Sequence, residues 1–435
     1  MSSALYWFRN DLRLSDNAAL NLACQQATEL ALVYCLAPDE DTKWGFTRIG
    51  KHRKAFLADT LQDLSQECKR LGNQLLIIVG QPSKVLPQLM RQLNTTTLYC
   101  ESIAAPEEIA QVEALRAQGV TVTTKWQSTL FDPSQLPFAI AQLPATFTPF
   151  RQQIEKSGIR APAPQPSIER LPAPPAAIDS VATVDIQTWA GFALQDARSA
   201  FPYHHAQWRG GATTAAAHLQ HYIESGLADS YKQTRNGLIG TDYSTKFSPW
   251  LASGALSARQ INHAIKAHEA SEGANESTYW IGFELLWRDY FRFLHLRYGR
   301  QLYRANGLNA AATLAHHTEN FYRWCQAQTG EPFIDAGMRE LTATGYLSNR
   351  MRQNVASFLV HQLQCDWRAG AAWFETQLID YDVYSNQGNW LYLAGCGTDP
   401  RANRRFSIEK QIANYDPEHT YLNLWRHSDS PSPAS

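Results

Sequence analysis

The chain has little of what usually announces a function. Its seven cysteines (Cys24, Cys35, Cys68, Cys100, Cys325, Cys365 and Cys396) are scattered and include no C-x-x-C pair. That argues against both a zinc site and a disulfide framework, and reduced, mostly buried thiols are expected. No G-x-G-x-x-G follows the first strand-like run, where the sequence is FRNDLRLSDN, and no G-x-x-x-x-G-K-[ST] occurs anywhere. Nucleotide binding by the standard phosphate turn is therefore not expected there. No apolar run reaches transmembrane length, and MSSALYWFRNDLRLSDN enters structure without a secretory hydrophobic stretch, so a cytoplasmic protein is the simplest expectation. A formal net charge of −1 supplies no global field for nucleic acid, so such a partner needs a local basic patch. His204-His205, His316-His317 and the H-x-x-H of His218 and His221 lack nearby carboxylates or cysteines and read as surface or capping residues. No short internal repeat is evident, which disfavours a solenoid.

At 435 residues, two or three domains are expected. Apolar, β-branched runs at Ala4 to Arg9, Leu30 to Leu36, Gln74 to Val79, Thr97 to Cys100 and Val120 to Thr123 alternate with helical patterns. Those patterns lie near Asn17 to Ala27, Arg48 to Leu71, Pro82 to Leu93 and Pro106 to Gln118. The alternation predicts an α/β domain, residues 1–125, with a parallel, Rossmann-like sheet. Arg9, Asp11, Arg13 and Asp16 read as a loop laced by ion pairs before an N-capped helix. From 126 to 188 the pattern dissolves, with prolines at 162, 164, 166, 172, 174 and 175, and an extended linker is expected. Residues 189–426 carry helical patterns and ten of the thirteen tryptophans, which predicts an all-α domain rich in indole. Residues 427–435 are expected to be a polar, frayed tail.

One stretch stands out, Gln377 to Arg401, reading QLIDYDVYSNQGNWLYLAGCGTDPR. It is too polar for core and too aromatic for a solvent loop. Buried carboxylates and amides need partners, so a bound polar ligand is expected here, against the alternative of a structural loop with capping aspartates. Three further stretches carry chemistry. Ser244, Thr245, Lys246 and Ser248 precede Pro249, with Ser248 an N-cap, and together suit a phosphate. In WIGFELLWRDYFR, Glu284 and Trp287 share a helix face, either to meet a planar heterocycle or with Glu284 as partner of Arg288. In GYLSNRMRQNVASFLV, Asn349, Arg352 and Gln353 crowd an apolar helix, and Arg352 needs a carboxylate, Asp380 or Asp382.

Together these stretches resemble the photolyase/cryptochrome family and, within it, the DASH-type cryptochromes. The similarity is carried by TRNG, DYSTKFSPWLA, FELLWRDYFRF, MRELTATGYLSNRMRQNVASFL, DYDVYSNQGNW, FSIEKQ and NYDPE, and more loosely by WFRNDLRLSDNAAL. The resemblance implies an α/β antenna domain and a helical domain holding FAD in a bent conformation. Tyr231, Ser244, Thr245, Lys246, Phe247 and Ser248 would hold the adenosine and pyrophosphate side. Asn349 and Arg352 would pair with the flavin region, Asp380 and Asp382 would lie toward its polar edge, and Asn386 would face N5. Asparagine there goes with reduced or neutral-radical flavin in the family.

The implied activity is blue-light-driven splitting of a cyclobutane pyrimidine dimer by an electron from excited reduced FAD. Glu284 would hydrogen-bond the dimer, with Trp287 and Tyr392 walling its cavity. Gln353 and Tyr392 are the polar choices typical of DASH members, implying a preference for single-stranded DNA. Trp390 and Trp367 match the inner and middle positions of the electron-transfer chain; the outer position falls on Leu314, leaving Trp324 or Tyr322 to end the route. A folate antenna is implied too, although Ile103 and Ala104 stand where its glutamate is usual, with Glu101, Glu107 or Glu108 as substitutes. Arg401, Arg404, Arg405 and Lys410 form the local basic cluster for DNA. The competing class is a blue-light sensor with little repair, and a flavoprotein without photochemistry is disfavoured by Glu284, Trp287 and Asn386. A monomer without metal is expected.

Overall fold

A computed structural model describes residues 3–309, 315–398 and 405–426. The five expected strands form: β1 (Ser3–Phe8), β2 (Glu29–Leu36), β3 (Leu75–Val79), β4 (Thr97–Glu101) and β5 (Thr121–Lys125), all parallel in the order β3-β2-β1-β4-β5. Between them run α1 (Ala18–Gln26), α2 (Lys51–Arg70), α3 (Pro82–Gln92) and α4 (Pro106–Ala117). Successive side chains of a strand point to opposite faces, and here both faces are covered. Tyr6 and Phe8 enter one core with Leu20, Leu61 and Leu64. Leu5 and Trp7 enter the other with Leu86, Leu89 and Leu115. Asn17 caps α1, accepting from the Leu20 amide at 3.0 Å.

Strand order reverses at β1, and ligands of open α/β sheets usually lie at that switch point. Here it is plugged by Arg9, Asp11, Arg13 and Asp16, none more than 6% exposed. The expected lacing by ion pairs is replaced by hydrogen bonds. Arg13 Nη1 donates to the Gly254 carbonyl (2.8 Å) and Arg9 Nη2 to that of Glu108 (3.1 Å). Asp11 accepts from the Arg9 amide (2.8 Å), Gln127 (2.9 Å) and the Tyr6 hydroxyl. Among the described residues the ion pair of this string is Asp16 with Arg259, at 4.0 Å. Buried charges are better served by fixed backbone dipoles than by one another when each can reach several. The plug welds the sheet to the helical half at Gly254, whose φ is +74° and whose missing Cβ would lie 1.9 Å from the Asn10 carbonyl oxygen.

The connector differs from the expected linker. It contains α5 (Phe147–Ser157), which buries Phe147, Phe150 and Ile154 in the helical core. Farther on, Leu171 and Ile178 pack into the two sheet cores, and Ala173 forms a parallel bridge with Glu29. The chain thus stays attached to both halves, and α6 (Ile186–Ala190), capped by Asp185, ends it. Three apolar residues at helical spacing among so many prolines made too faint a pattern for α5 to be foreseen.

The helical half follows as α7 (Ala212–Glu224), α8 (Tyr231–Thr234), α9 (Ser248–Ser253), α10 (Ala258–Glu272), α11 (Glu276–Tyr298), α12 (Thr318–Cys325), α13 (Pro332–Thr344), α14 (Asn349–His361), α15 (Trp367–Gln377), α16 (Val383–Leu393), α17 (Ile408–Tyr415) and α18 (Thr420–Leu424). Trp250, Trp324, Trp367, Trp390 and Trp425 lie wholly inside its core. All seven cysteines are free thiols, five of them buried. Among the described residues no helix is long and apolar enough to cross a membrane.

Candidate functional site

Gln377 to Arg401, read either as a ligand site or as a loop with capping aspartates, contains both a helix and a cleft wall. Asp382 caps α16, accepting from the Ser385 amide at 2.7 Å. The turn before it is pinned by the Ile379 amide on the Gly345 carbonyl (2.9 Å). Ser348 caps α14, and one turn in, Arg352 donates through Nε to the Leu347 carbonyl (2.8 Å) and through Nη2 to Asp380 (2.8 Å). Of the two carboxylates open to Arg352, the structure selects Asp380.

Asp382 instead pairs with Arg292 of α11, at 2.5 Å, an arginine only 3% exposed. Sequence reasoning missed Arg292. Its signal was present, since Arg288 and Arg292 continue the row of four-residue spacing begun by Glu284 and so bring two arginines to one helix face. Burial alone would raise the Asp382 pKa; Arg292, then Arg288, reverse this and hold it at about 2. Burial and the neighbouring Arg292 bring Arg288 down to about 9.

Glu284 is held by Arg235, just after α8, and not by Arg288, whose guanidinium donates to the carbonyls of Ser128 and Leu251. Helix geometry permitted the Arg288 pairing, but Arg288 is taken up by carbonyls of the connector and of α9, while Glu284, with 35% of its side chain accessible, reaches Arg235 across the larger lobe that both residues line. Enclosure raises its pKa and Arg235 opposes the rise.

The segment before α9 is strained at Lys246, whose φ is +56°. The Lys246 ammonium sits 3.3 Å from the Tyr243 ring centroid, and burial pushes its pKa well down. Ser248 is not the N-cap; Phe247 occupies that position and α9 is six residues long. The Phe247 ring turns into the core against Tyr222 and His218. His218, expected at the surface or as a cap, is buried, and its Nε2 meets the Thr245 carbonyl at 2.9 Å. Burial lowers it to about 4, so at neutral pH an uncharged ring steadies the loop.

These elements enclose one cleft of two lobes. The larger, about 400 Å³, is lined by Tyr231, Arg235, Ser244, Thr245, Lys246, Ser248, Glu284, Trp287 and Tyr392 among others. The smaller, about 90 Å³, is lined by Asn386, Trp390 and Phe374. Asn349, Arg352, Gln353, Asp380, Asp382, Ser385 and Asn389 border both. Gln353 accepts from Arg350 at 2.8 Å, and Asn386 donates to the Ala371 carbonyl at 3.0 Å. Lys246 Nζ, Asp380 Oδ1, Tyr243 Oη and Arg292 Nε are buried without a hydrogen-bond partner among the described residues. Each such orphan costs about 1–3 kcal/mol. Three of them line the cleft, and Arg292 stands behind it through Asp382, which fits a large polar ligand with anionic and ring-edge groups, as FAD is. Among the described residues no cluster of three His, Cys, Asp or Glu could hold a metal.

Trp390 is buried beside the small lobe, its ring tip 2.3 Å from where a Cβ on Gly370 of α15 would lie. Trp367 is buried one turn before Gly370, and its indole N–H donates to the Ala305 carbonyl. Trp324 is fully buried, with its ring centroid 6.4 Å from that of Trp390, so it neighbours the inner position rather than ending a route at solvent. Tyr322 is 42% exposed. Leu314, Arg401 and Arg404 lie outside the described residues, while Arg405 and Lys410 are exposed. Of the acids considered for a folate, Glu101 is 1% exposed and Glu107 is paired with Arg48 at 2.6 Å, leaving Glu108 half-buried near Arg9.

Comparison with known proteins agrees with this architecture. Residues 4–172 match the DNA photolyase family model, and residues 280–428 match the FAD binding domain of DNA photolyase. Cryptochrome DASH of Synechocystis is 43% identical, over 97% of this chain and 87% of its own length. Cryptochrome DASH of Xenopus laevis is 43% identical, over 96% and 81%. The crystal structure of a Synechocystis cryptochrome superposes with a TM-score of 0.92 at 42% identity, covering 98% of this chain and 88% of that one. A class III photolyase from Agrobacterium tumefaciens gives 0.82 at 27%, covering 98% and 86%. The chain therefore belongs to the photolyase/cryptochrome family, among the DASH cryptochromes, and carries that family's FAD-binding helical domain.

Proposed function

We propose that this protein repairs cyclobutane pyrimidine dimers under blue light, with single-stranded DNA as its preferred substrate. Bound FAD supplies the photochemical electron; the chain's own residues hold, orient and shield the reactants. Asp380 with Arg352, and Asp382 with Arg292, fix the polar border between the two lobes. Ser244, Thr245, Lys246 and Ser248 face the larger lobe as seats for the adenosine and phosphates. Asn386, its amide nitrogen held by the Ala371 carbonyl, lines the small lobe.

The observation that carries the proposal is Glu284. Its carboxylate is steered by Arg235 yet remains open to the larger lobe, which Trp287 and Tyr392, edge to face at 6.3 Å, also line. An acid in that setting can donate to or accept from the polar edge of a pyrimidine pair while the rings bound it. Gln353 adds an amide where a larger apolar side chain would grip a flipped lesion better. Extraction from a duplex costs a few kcal/mol and least from a single strand, so the single strand is favoured. Light-dependent loss of dimers from UV-treated oligothymidine, abolished by Glu284→Ala with flavin content retained, is the expected result. Equal repair in duplex and single strand would defeat the strand preference, and a flavin-loaded protein that splits no dimer would defeat the activity.

A further inference from the structure

Aromatic side chains lead out of the cleft along α11. Trp287 is stacked on Phe147 (3.8 Å, 9°), and Phe147 meets Phe283 edge-on at 5.1 Å. Phe283 stacks on Trp280 (4.6 Å, 22°). Tyr279 lies 6.4 Å from Trp280 and 6.5 Å from Phe283, and is 43% exposed. From Trp287 back to Tyr279 is two helical turns, about 12 Å. Cations flank these rings: Arg151 is 5.8 Å from the Phe283 centroid, and Lys232 and Arg235 are each 5.2 Å from that of Trp280. Each is also engaged by a carboxylate, Arg151 by Glu155 (2.6 Å), Lys232 by Glu276 (2.9 Å) and Arg235 by Glu284. Trp280 is thus covered by Phe283 and by cations, and Phe283 by Trp280 and Arg151, so the open ring of the series is Tyr279, beside neutralised cations and little free charge for a phosphate backbone.

Unpaired nucleobases are the ligands that suit such a face. They stack on aromatic rings and guanidinium planes with little regard to sequence, whereas bases within a duplex have both faces covered. We propose that Tyr279, backed by Trp280 and Phe283, forms the open end of a stacking ladder that receives unpaired bases next to the dimer, continuous with the cleft, and that this ladder contributes to single-strand preference. The inference rests on the dimer-binding role proposed for the cleft, and undamaged DNA separates the two.

The test uses the flavin-loaded full chain in the dark. Binding is measured for a short oligothymidine with one dimer, the same strand undamaged, and the isolated dimer dinucleotide. Tyr279→Ala weakens both oligonucleotides about fivefold more than the dinucleotide. Tyr279→Phe restores binding, because the ring and not the hydroxyl, which contacts Glu155 and Arg151, faces the base. The salt slope stays the same, since no cation is removed. Phe283→Leu makes the same comparison if Tyr279→Ala fails to retain flavin. Equal losses on all three probes, or a Tyr279→Phe as weak as Tyr279→Ala, overturn the ladder. If instead the dimer adds nothing to the binding of undamaged strand while the Tyr279 effect persists, the ladder stands and the dimer-binding role of the cleft fails. A Tyr279 dependence shown by a bound peptide and not by oligothymidine also overturns the proposal.

Discussion

Replacing Asp382 by asparagine isolates one charge. Asn caps a helix about as well as Asp, so the Ser385 contact survives. What is lost is the counter-charge to Arg292, 3% exposed, and to Arg288 beside it. The fall of the Asp382 pKa from 3.8 to about 2 corresponds to about 2 kcal/mol of stability. Breaking a buried pair and stranding its cation costs about 3–5 kcal/mol, so the loss should fall between about 2 and 5 kcal/mol. For a domain of this size the melting temperature drops by roughly 10 °C. The sign with pH follows from the depressed pKa. The contribution is complete above about 4, where the carboxyl ionises in both states, and fades as pH falls through about 2, where the folded form is protonated. Urea titrations of the native and Asp382→Asn proteins in parallel from pH 7 down to 3 should show a constant gap that narrows below pH 4. A gap under 1 kcal/mol at pH 7, or one that does not narrow, would refute the assigned role.

Arg352→Leu strands Asp380, 1% exposed at its side chain, and should cost about 3–5 kcal/mol and most of the bound flavin, read as the visible-to-ultraviolet absorbance ratio of the purified protein. Gly254→Ala forces an L side chain into the left-handed region against the Asn10 carbonyl. It should cost at least about 1–2 kcal/mol and loosen the two halves, seen as faster hydrogen exchange at residues 9–16. Trp367→Phe and Trp324→Phe, made separately, decide the electron route. Whichever slows flavin photoreduction with an external donor lies on it, and unchanged rates in both would show the route runs elsewhere.

Much of the α/β half was legible because a parallel sheet buried on both faces leaves plain apolar runs between helices. Each expected strand formed to within a residue or two at its ends. The helix α16 was harder. Asp382, Tyr384, Asn386, Asn389 and Tyr392 mix polar and aromatic groups because one face caps and lines a cleft while the other packs, which blurs any hydrophobic period. The pairing of charges could not be foreseen, since Arg292 and Asp382 lie ninety residues apart and meet only through the packing of α11 on α16. The neighbourhoods of Glu284 and His218 likewise depend on which face of a helix the fold turns inward. The ring-to-ring placement of Trp324 beside Trp390 has no one-dimensional trace at all.

The central claim is tested most directly by one measurement on the purified protein. Its absorbance is recorded in the dark and after blue light, and the same sample is then given UV-treated oligothymidine as single strand and as duplex, with dimer content followed under illumination. We predict a flavin spectrum that changes under light and dimer loss that requires light and is faster in the single strand. A protein without a flavin spectrum, or one whose flavin responds to light while dimers persist in both substrates, would contradict it.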